Sequence, residues 1–440
     1  MKLQVALWSS IVYSLFFIIS CGSQTDSTFD FSALGVSWEV VGNHEHEDEL
    51  PAQCHAAFYF TNHDTKATLF ADWELYFSQS PRLVKKIDGP ATVEHISGDF
   101  YRFSPNEDWT LPPGDSIRVD YYVGAWLIKE TAGPRGAYVI SGDRTVPLPQ
   151  LTIRPFVREK QTKRYKGDRK KMPTASNLYF EQQQLGVRPD PNLWNSVPKA
   201  SKQARFRVYF PPEFENEFNY LQKSILKGFA KFERISNADS ADIILGLGAK
   251  FDHSERYRLS IQGGKADVKG RTEKAVFYAL QDLIRQFQWA NEGGFLKDTL
   301  IEDYPRFSYR GIHLDVARNF QSIGTVKALL DLLAFYKINI LHLHLTDDEG
   351  WRLEIPGHPE LTEVGAFRKH GSKESPHLHP SYGSGPFADE KTSYGSGYYT
   401  KEQFKEILSY AKDRHIKVIP EINFPGHARA AIKAMNAYRK

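Results

Sequence analysis

The 440 residues are 41% hydrophobic and 25% charged, which excludes a disordered, collagen-like or polytopic membrane chain. Lys+Arg 56 against Asp+Glu 53 leaves a net charge of +3, too small to imply a nucleic-acid partner. The two cysteines, Cys21 and Cys54, exclude a disulfide scaffold and a cysteine-rich zinc module. At roughly 150 residues per domain the length predicts about three domains. Aromatic residues reach 13%. They can stack on sugar faces, but β-sandwich cores consume them as well, and the core is the better expectation.

Residues 1–20 read as an export signal. Lys2 precedes a mostly apolar run from Val5 to Ile19, too short for a good membrane span. Its end, Ile18-Ile19-Ser20-Cys21, resembles a bacterial lipoprotein cleavage box. The resemblance implies lipidation of Cys21 and a membrane-anchored protein of the cell envelope, with residues 21–28 as a tether. Cys54 is then the only thiol left, expected as a small buried residue.

Residues 29–156 read as an antiparallel β-sandwich. Ile117, Val119 and Tyr121 alternate with polar neighbours, the period of a half-buried strand. Trp73–Phe77 and Ala57–Phe60 are further strands, and Pro and Gly punctuate the run. Residues 157–200 are a connection. Its first part, Val157 to Lys171, holds eight Lys or Arg without apolar periodicity, which favours a solvated linker over an anion-binding surface.

Residues 201–303 predict a small α+β domain. Phe214, Phe218, Leu221, Ile225, Phe229 and Phe232 recur at steps of three and four, as on one amphipathic helix. Ala241–Leu247 and Tyr257–Ile261 read as strands, and Val276 to Phe287 as a second helix.

Residues 304–440 alternate as βαβαβ, which implies a parallel sheet. The predicted strands are Tyr309–Val316, Ile338–Leu345 and Ile416–Ile422. Val326 to Leu333 and Phe404 to Ala411 face helices, the second opened by a capping box at Thr400 and Gln403. Polar clusters follow the strands: Arg310 to Asn319, His342 to Arg352, and Pro420 to His427. In an α/β barrel the C-terminal strand ends face the catalytic mouth. Charges there need partners, so one shared site explains three clusters better than three accidents.

These clusters, above all Thr346-Asp347-Asp348-Glu349-Gly350-Trp351, resemble the motifs of family 20 glycoside hydrolases, the β-N-acetylhexosaminidases, and most of all the chitobiases. The likeness extends over nearly all of the exported chain. It implies an N-terminal carbohydrate-binding-like sandwich and the first three βα units of a (β/α)8 barrel. It further implies that Arg310 grips sugar hydroxyls, that Asp347 and Asp348 shape the pocket, and that Glu349 and Trp351 support it. His427, with Asn423 four residues earlier, would tune the acid/base residue.

Bland readings compete. Arg310 fits a barrel-floor ion pair, Asp347 and Asp348 fit caps, and His427 fits a core histidine. His342 and His344 share a strand face and suggest metal ligands, although their apolar neighbours read as packing. The family itself implies no cofactor and no metal.

Two departures stand out. The family usually has Asp where this chain has Asn423, which can orient an imidazole but brings no charge. The family's adjacent catalytic Asp and Glu follow the fourth strand, so they are expected beyond Lys440. A whole barrel needs about 250 residues, so the chain is expected to be a fragment that is inactive by itself. The complete enzyme would release terminal N-acetylhexosamine from oligosaccharides by substrate-assisted, retaining catalysis. The alternatives are a non-catalytic glycan-binding lipoprotein and a metal-dependent hydrolase using His342, His344 and His427.

Overall fold

The structure, a computed structural model, describes residues 29–44, 53–79, 84–124, 127, 132–154, 204–224, 230–248, 251–289, 298–372, 375–389 and 393–439. The export signal, Cys21 and the basic connection lie outside the described residues, as do Ile225 and Phe229. Among the described residues no helix is long and apolar enough to cross a membrane.

The N-terminal region is a sandwich of two five-stranded sheets. Its strands are β1 (Leu34–His44), β2 (Gln53–Asn62), β3 (Glu74–Ser78), β4 (Val84–Asp88) and β5 (Ala91–Ser97). They continue as β6 (Phe100–Pro105), β7 (Ser116–Val123), β8 (Arg135–Ser141), β9 (Arg144–Pro147) and β10 (Thr152–Ile153). One sheet runs β10-β1-β2-β7-β4 and the other β9-β8-β3-β6-β5. All pairs are antiparallel except β1 with β10. The alternation in β7 lands as expected, with Val119, Tyr121 and Val123 inside. Trp38, Phe58, Phe60, Trp73, Phe103 and Trp109 fill the space between the sheets, so most of the tryptophan named here is core. Each such side chain stabilises by about 2–3 kcal/mol. The polar tips are satisfied inside: Trp38 Nε1 donates to the Tyr121 hydroxyl at 2.7 Å, which donates to Gln79 at 2.8 Å. Cys54 is buried and unpaired, and burial pushes its thiol up to about 12.

The α+β region holds β11 (Ala204–Tyr209), α1 (Glu215–Lys223), β12 (Ala230–Arg234), β13 (Ile243–Leu247), β14 (Tyr257–Gln262), β15 (Lys265–Gly270), α2 (Glu273–Trp289) and β16 (Thr299–Asp303). They form a mixed sheet in the order β12-β11-β13-β15-β14-β16. The helix expected to run from Phe214 to Phe232 is shorter. It ends at Lys223, where Ser224 is extended and its hydroxyl caps the Leu221 carbonyl at 2.7 Å. Phe232 belongs to β12, where Ala230 and Phe232 alternate inward with a period of two.

The last region is β17 (Gly311–Asp315), α3 (Ile323–Phe335), β18 (Ile340–His344), a hairpin of Thr346–Asp347 and Gly350–Trp351, α4 (Glu360–Glu363), α5 (Lys401–Lys412), β19 (Lys417–Glu421) and α6 (Arg429–Tyr438). The three long strands form a parallel sheet in the order β17-β18-β19. This βα alternation agrees with the start of a barrel. Thr400 and Gln403 make the expected reciprocal cap of α5. Leu341 and Leu343 face the helices and are fully buried. The opposite parity, His313, Asp315, His342, His344, Ile419 and Glu421, shares the other face.

The boundary drawn at 303/304 does not separate two cores. Val208, Ile243, Leu280 and Leu283 belong to the same buried cluster as Leu330, Leu341, Leu343 and Ile407. The sandwich keeps its own core and touches the rest through ring contacts, Tyr76 on His370 and Phe100 on His379, and through hydrogen bonds. Asp99 accepts from the Ser381 hydroxyl and, at 2.7 Å, from the Tyr382 N–H. The Tyr138 hydroxyl meets His370 at 2.9 Å. A Cβ on Gly136 would lie 2.4 Å from the Gly383 carbonyl, so only glycine allows this close approach.

Candidate active site

The site is built from the C-terminal ends of the three parallel strands. At the end of β17 the Asp315 carboxylate accepts from the Ala317 and Arg318 N–H groups at 3.0 and 3.1 Å. That turn folds the Arg318 side chain back over the strand end, where Nη1 meets Asp315 at 2.8 Å. Nη2 lies 2.8 Å from Asp347 Oδ2, and Nε 3.3 Å from Glu349.

The turn after β18 is a tight hairpin because a guanidinium sits beneath it. Arg352 is completely buried and donates to the carbonyls of Val316, Ala317, Ala366, Gly395 and Gly397. Burial drives its pKa well below the arginine norm. Gly350 is required above it, since a Cβ there would fall 2.6 Å from the Arg352 guanidinium. Arg368, also fully buried, donates to the Arg318 carbonyl. The long loop that the sandwich braces thus holds the backbone of Arg318 in place.

Asp347 is the centre of the site. It is 1% exposed. Its Oδ2 faces Arg318 Nη2, His344 Nε2 at 3.0 Å and Asn423 Nδ2 at 3.2 Å. Its Oδ1 accepts from the Asp348 N–H at 2.7 Å and faces His427 Nδ1 at 3.1 Å. Burial alone would raise its pKa. The Asp348 N–H, the Arg318 guanidinium and His344 outweigh it and hold the carboxyl below the usual range. Glu349 goes the other way: burial, then the Asp347 charge, push it up. Two neighbouring carboxyls with opposite shifts are a common mark of a functional site.

Of the residues expected in the site, Asp347, Asp348, Glu349, Asn423 and His427 converge. Asp348 accepts from the Arg429 N–H at 3.0 Å and so also holds the first turn of α6. His427 has a φ of 53° and a mostly exposed ring. Asn423 donates to Asp347, a contact that a second carboxylate could not make.

Two expectations fail. Arg310 precedes β17 at the opposite end of the sheet, about 16 Å away along a five-residue strand. Its side chain ties the α+β region to the base of the sheet: Glu255 at 3.0 Å and the Tyr278 hydroxyl at 2.7 Å on one side, the carbonyls of Lys337 and Phe307 at 2.7 and 2.5 Å on the other. It is the floor residue of the bland reading. Trp351 is a buttress: its indole N–H donates to the Leu353 carbonyl at 2.6 Å, and its ring packs with Leu361, Val364 and Ala434 behind the hairpin. The sequence reading missed Arg318 and Arg352 as site builders. Both stand inside the quoted motifs, and Arg318, three residues past a strand-end aspartate, carried the signal.

Comparison with known proteins agrees with this geometry. The Glycosyl hydrolase family 20 catalytic-domain profile matches residues 307–440, and a carbohydrate binding domain profile matches residues 33–176. The N,N'-diacetylchitobiase of Vibrio harveyi is 33% identical over 430 residues, covering 92% of this chain and 48% of the relative. The β-hexosaminidase of Vibrio vulnificus is 33% identical over 410 residues, covering 83% and 46%. The chain thus spans about half the length of these relatives. An inactive mutant of the family 20 exo β-N-acetylglucosaminidase from Vibrio harveyi superposes with a TM-score of 0.68 at 25% identity, over 92% of this chain and 60% of that one. With one profile falling on the three βα units and the other on the sandwich, the chain belongs to glycosyl hydrolase family 20.

Proposed function

We propose that this chain is part of an exo-acting β-N-acetylhexosaminidase and supplies the half of its pocket that grips the terminal sugar. The observation that carries this reading is the Arg318–Asp347–His427 cluster at the strand ends of a family 20 catalytic domain. Arg318 offers fixed, forked donors and Asp347 is held ionised, a pairing suited to orienting sugar hydroxyls. The relatives are named chitobiase and β-hexosaminidase, which supports a terminal N-acetylhexosamine as substrate.

The chemistry we infer is substrate-assisted, so the two-carboxylate spacing rule for glycosidases does not apply. The 2-acetamido oxygen attacks the anomeric carbon while an acid protonates the leaving oxygen. The same group then activates water, and configuration is retained. His427 stands on Asp347 and would order that acid/base residue. We infer further that the acid pair comes from barrel strands not described here, because the β17 and β19 edges are unpaired among the described residues. Anchoring in the cell envelope through Cys21 belongs to the same reading; Cys21→Ala should move the protein to the soluble fraction.

The test is hydrolysis of a chromogenic N-acetyl-β-glucosaminide by this chain and by the product of the uninterrupted reading frame. Turnover by the longer product alone is expected. Turnover by the 440-residue chain would overturn the fragment reading. A stop codon after Lys440, with no continuing barrel, would favour the glycan-binding reading that the sandwich match supports.

A further inference from the structure

We propose that His313, His344 and Glu421 form a binding site for a divalent transition metal of the zinc class, with His342 beside it, on the face of the parallel sheet away from the helices. The register of the sheet creates the cluster. His313 lies opposite His342, and His344 opposite Glu421, so all four side chains leave the same face of adjacent strands. They converge on one carboxylate. Glu421 Oε2 is 2.8 Å from His342 Nε2 and 3.3 Å from His313 Nε2, and Oε1 is 3.0 Å from His344 Nδ1. One ligand atom each of His313, His344 and Glu421 fit within 4.8 Å of one another. Ligand atoms around tetrahedral zinc stand about 3.3 Å apart, close to the 3.3 and 3.0 Å from Glu421 to His313 and His344.

His344 links this cluster to Asp347. His344 lies between two carboxylates, Glu421 at Nδ1 and Asp347 at Nε2, each at 3.0 Å. A metal ion between His344 Nδ1 and Glu421 would take both as ligands. The carboxylate behind a metal-bound histidine is the usual outer support of such a site, and here Asp347 occupies that place.

The chemistry of the donors agrees. Imidazole and carboxylate suit zinc-class ions rather than magnesium. Among the described residues the side-chain partners of Glu421 are all imidazoles. The neighbouring Asp347–Asp348–His427 group is the poorer candidate, because Arg318, Asn423 and the Arg429 N–H already occupy its carboxylates. A bound ion would tie the three strands together and hold His344 against Asp347.

The experiment is calorimetric titration of Zn2+ into the chelator-treated 440-residue chain, with Mg2+ as a control and circular dichroism to verify folding. The expected result is one Zn2+ per chain, a raised Tm, and no competition from Mg2+. Glu421→Gln and His313→Ala should each weaken binding by at least about tenfold. Circular dichroism of each variant verifies that the fold stands. His427→Ala should leave affinity unchanged. Absence of Zn2+ binding to the folded chain, binding that survives both site variants, or binding lost with His427→Ala would each overturn the proposal.

Discussion

Two arginines, one at each end of β17, mark two regions with different physical roles. At the N-terminal end Arg310 is enclosed by Glu255, Tyr278 and two carbonyls, and it joins the α+β region to the sheet. At the C-terminal end Arg318 meets Asp315, Asp347 and Glu349 in a cluster that stays open on one side through the exposed His427. The same side chain is enclosed below and borders an open polar cluster above. In a barrel that difference follows the strand direction: conservation of packing belongs to the bottom and chemistry to the top. An arginine beside a strand therefore says little until the end of the strand it occupies is known.

The comparison can be broken by substitution. Arg318→Met should have the largest effect. It leaves Asp347 buried without its guanidinium, a loss of about 3 kcal/mol by denaturant titration, and it should abolish turnover by the longer enzyme. Arg310→Met should lower stability by about 2 kcal/mol, since Lys274 still pairs with Glu255. It should leave KM for the chromogenic substrate unchanged; a raised KM would show that the two ends are not separate.

Asn423→Asp places a second carboxylate beside Asp347 Oδ2. It should destabilise by about 1 kcal/mol at neutral pH, and stability should recover as the pH falls through the carboxylate range. The smallest effect is expected from Glu349→Gln. The raised pKa of Glu349 means that its contribution is present in acid and fades as the pH rises above about 4.3 through the folded value. The variant should flatten that decline. Asp347 has the opposite sign, so its contribution is present above about pH 3.9 and lost in stronger acid. A stability profile that Glu349→Gln leaves unchanged would count against the pairing of opposite shifts.

Much of this was legible in the residues. The β7 alternation, the Thr400–Gln403 cap and the βα order are local signals, decided within a few residues by pleat, cap and helix period. The helix read through Phe232 shows the limit of such signals. Phenylalanines at steps of three and four satisfy a helix, but Ser224 caps the turn and Phe232 faces the core from a strand. In the cluster, Asp347, Asp348, Asn423 and His427 come together because two motifs lie at the ends of neighbouring strands. Arg310 was misplaced and Arg318 passed over because both lie in one motif, on either side of the strand Gly311–Asp315 that separates them in space.

By itself the sequence determined the kinds of element, their order, the family and the stock of polar groups near residues 310–319, 342–352 and 420–427. Those properties are written in short-range periodicity and motif spacing. Only the tertiary structure decided which guanidinium reaches Asp347, that Trp351 supports from behind, that three imidazoles surround Glu421, and that the α+β region shares its core with the parallel sheet. These depend on strand register and on which end of a strand a residue occupies, and both arise from pairing between segments far apart in the chain.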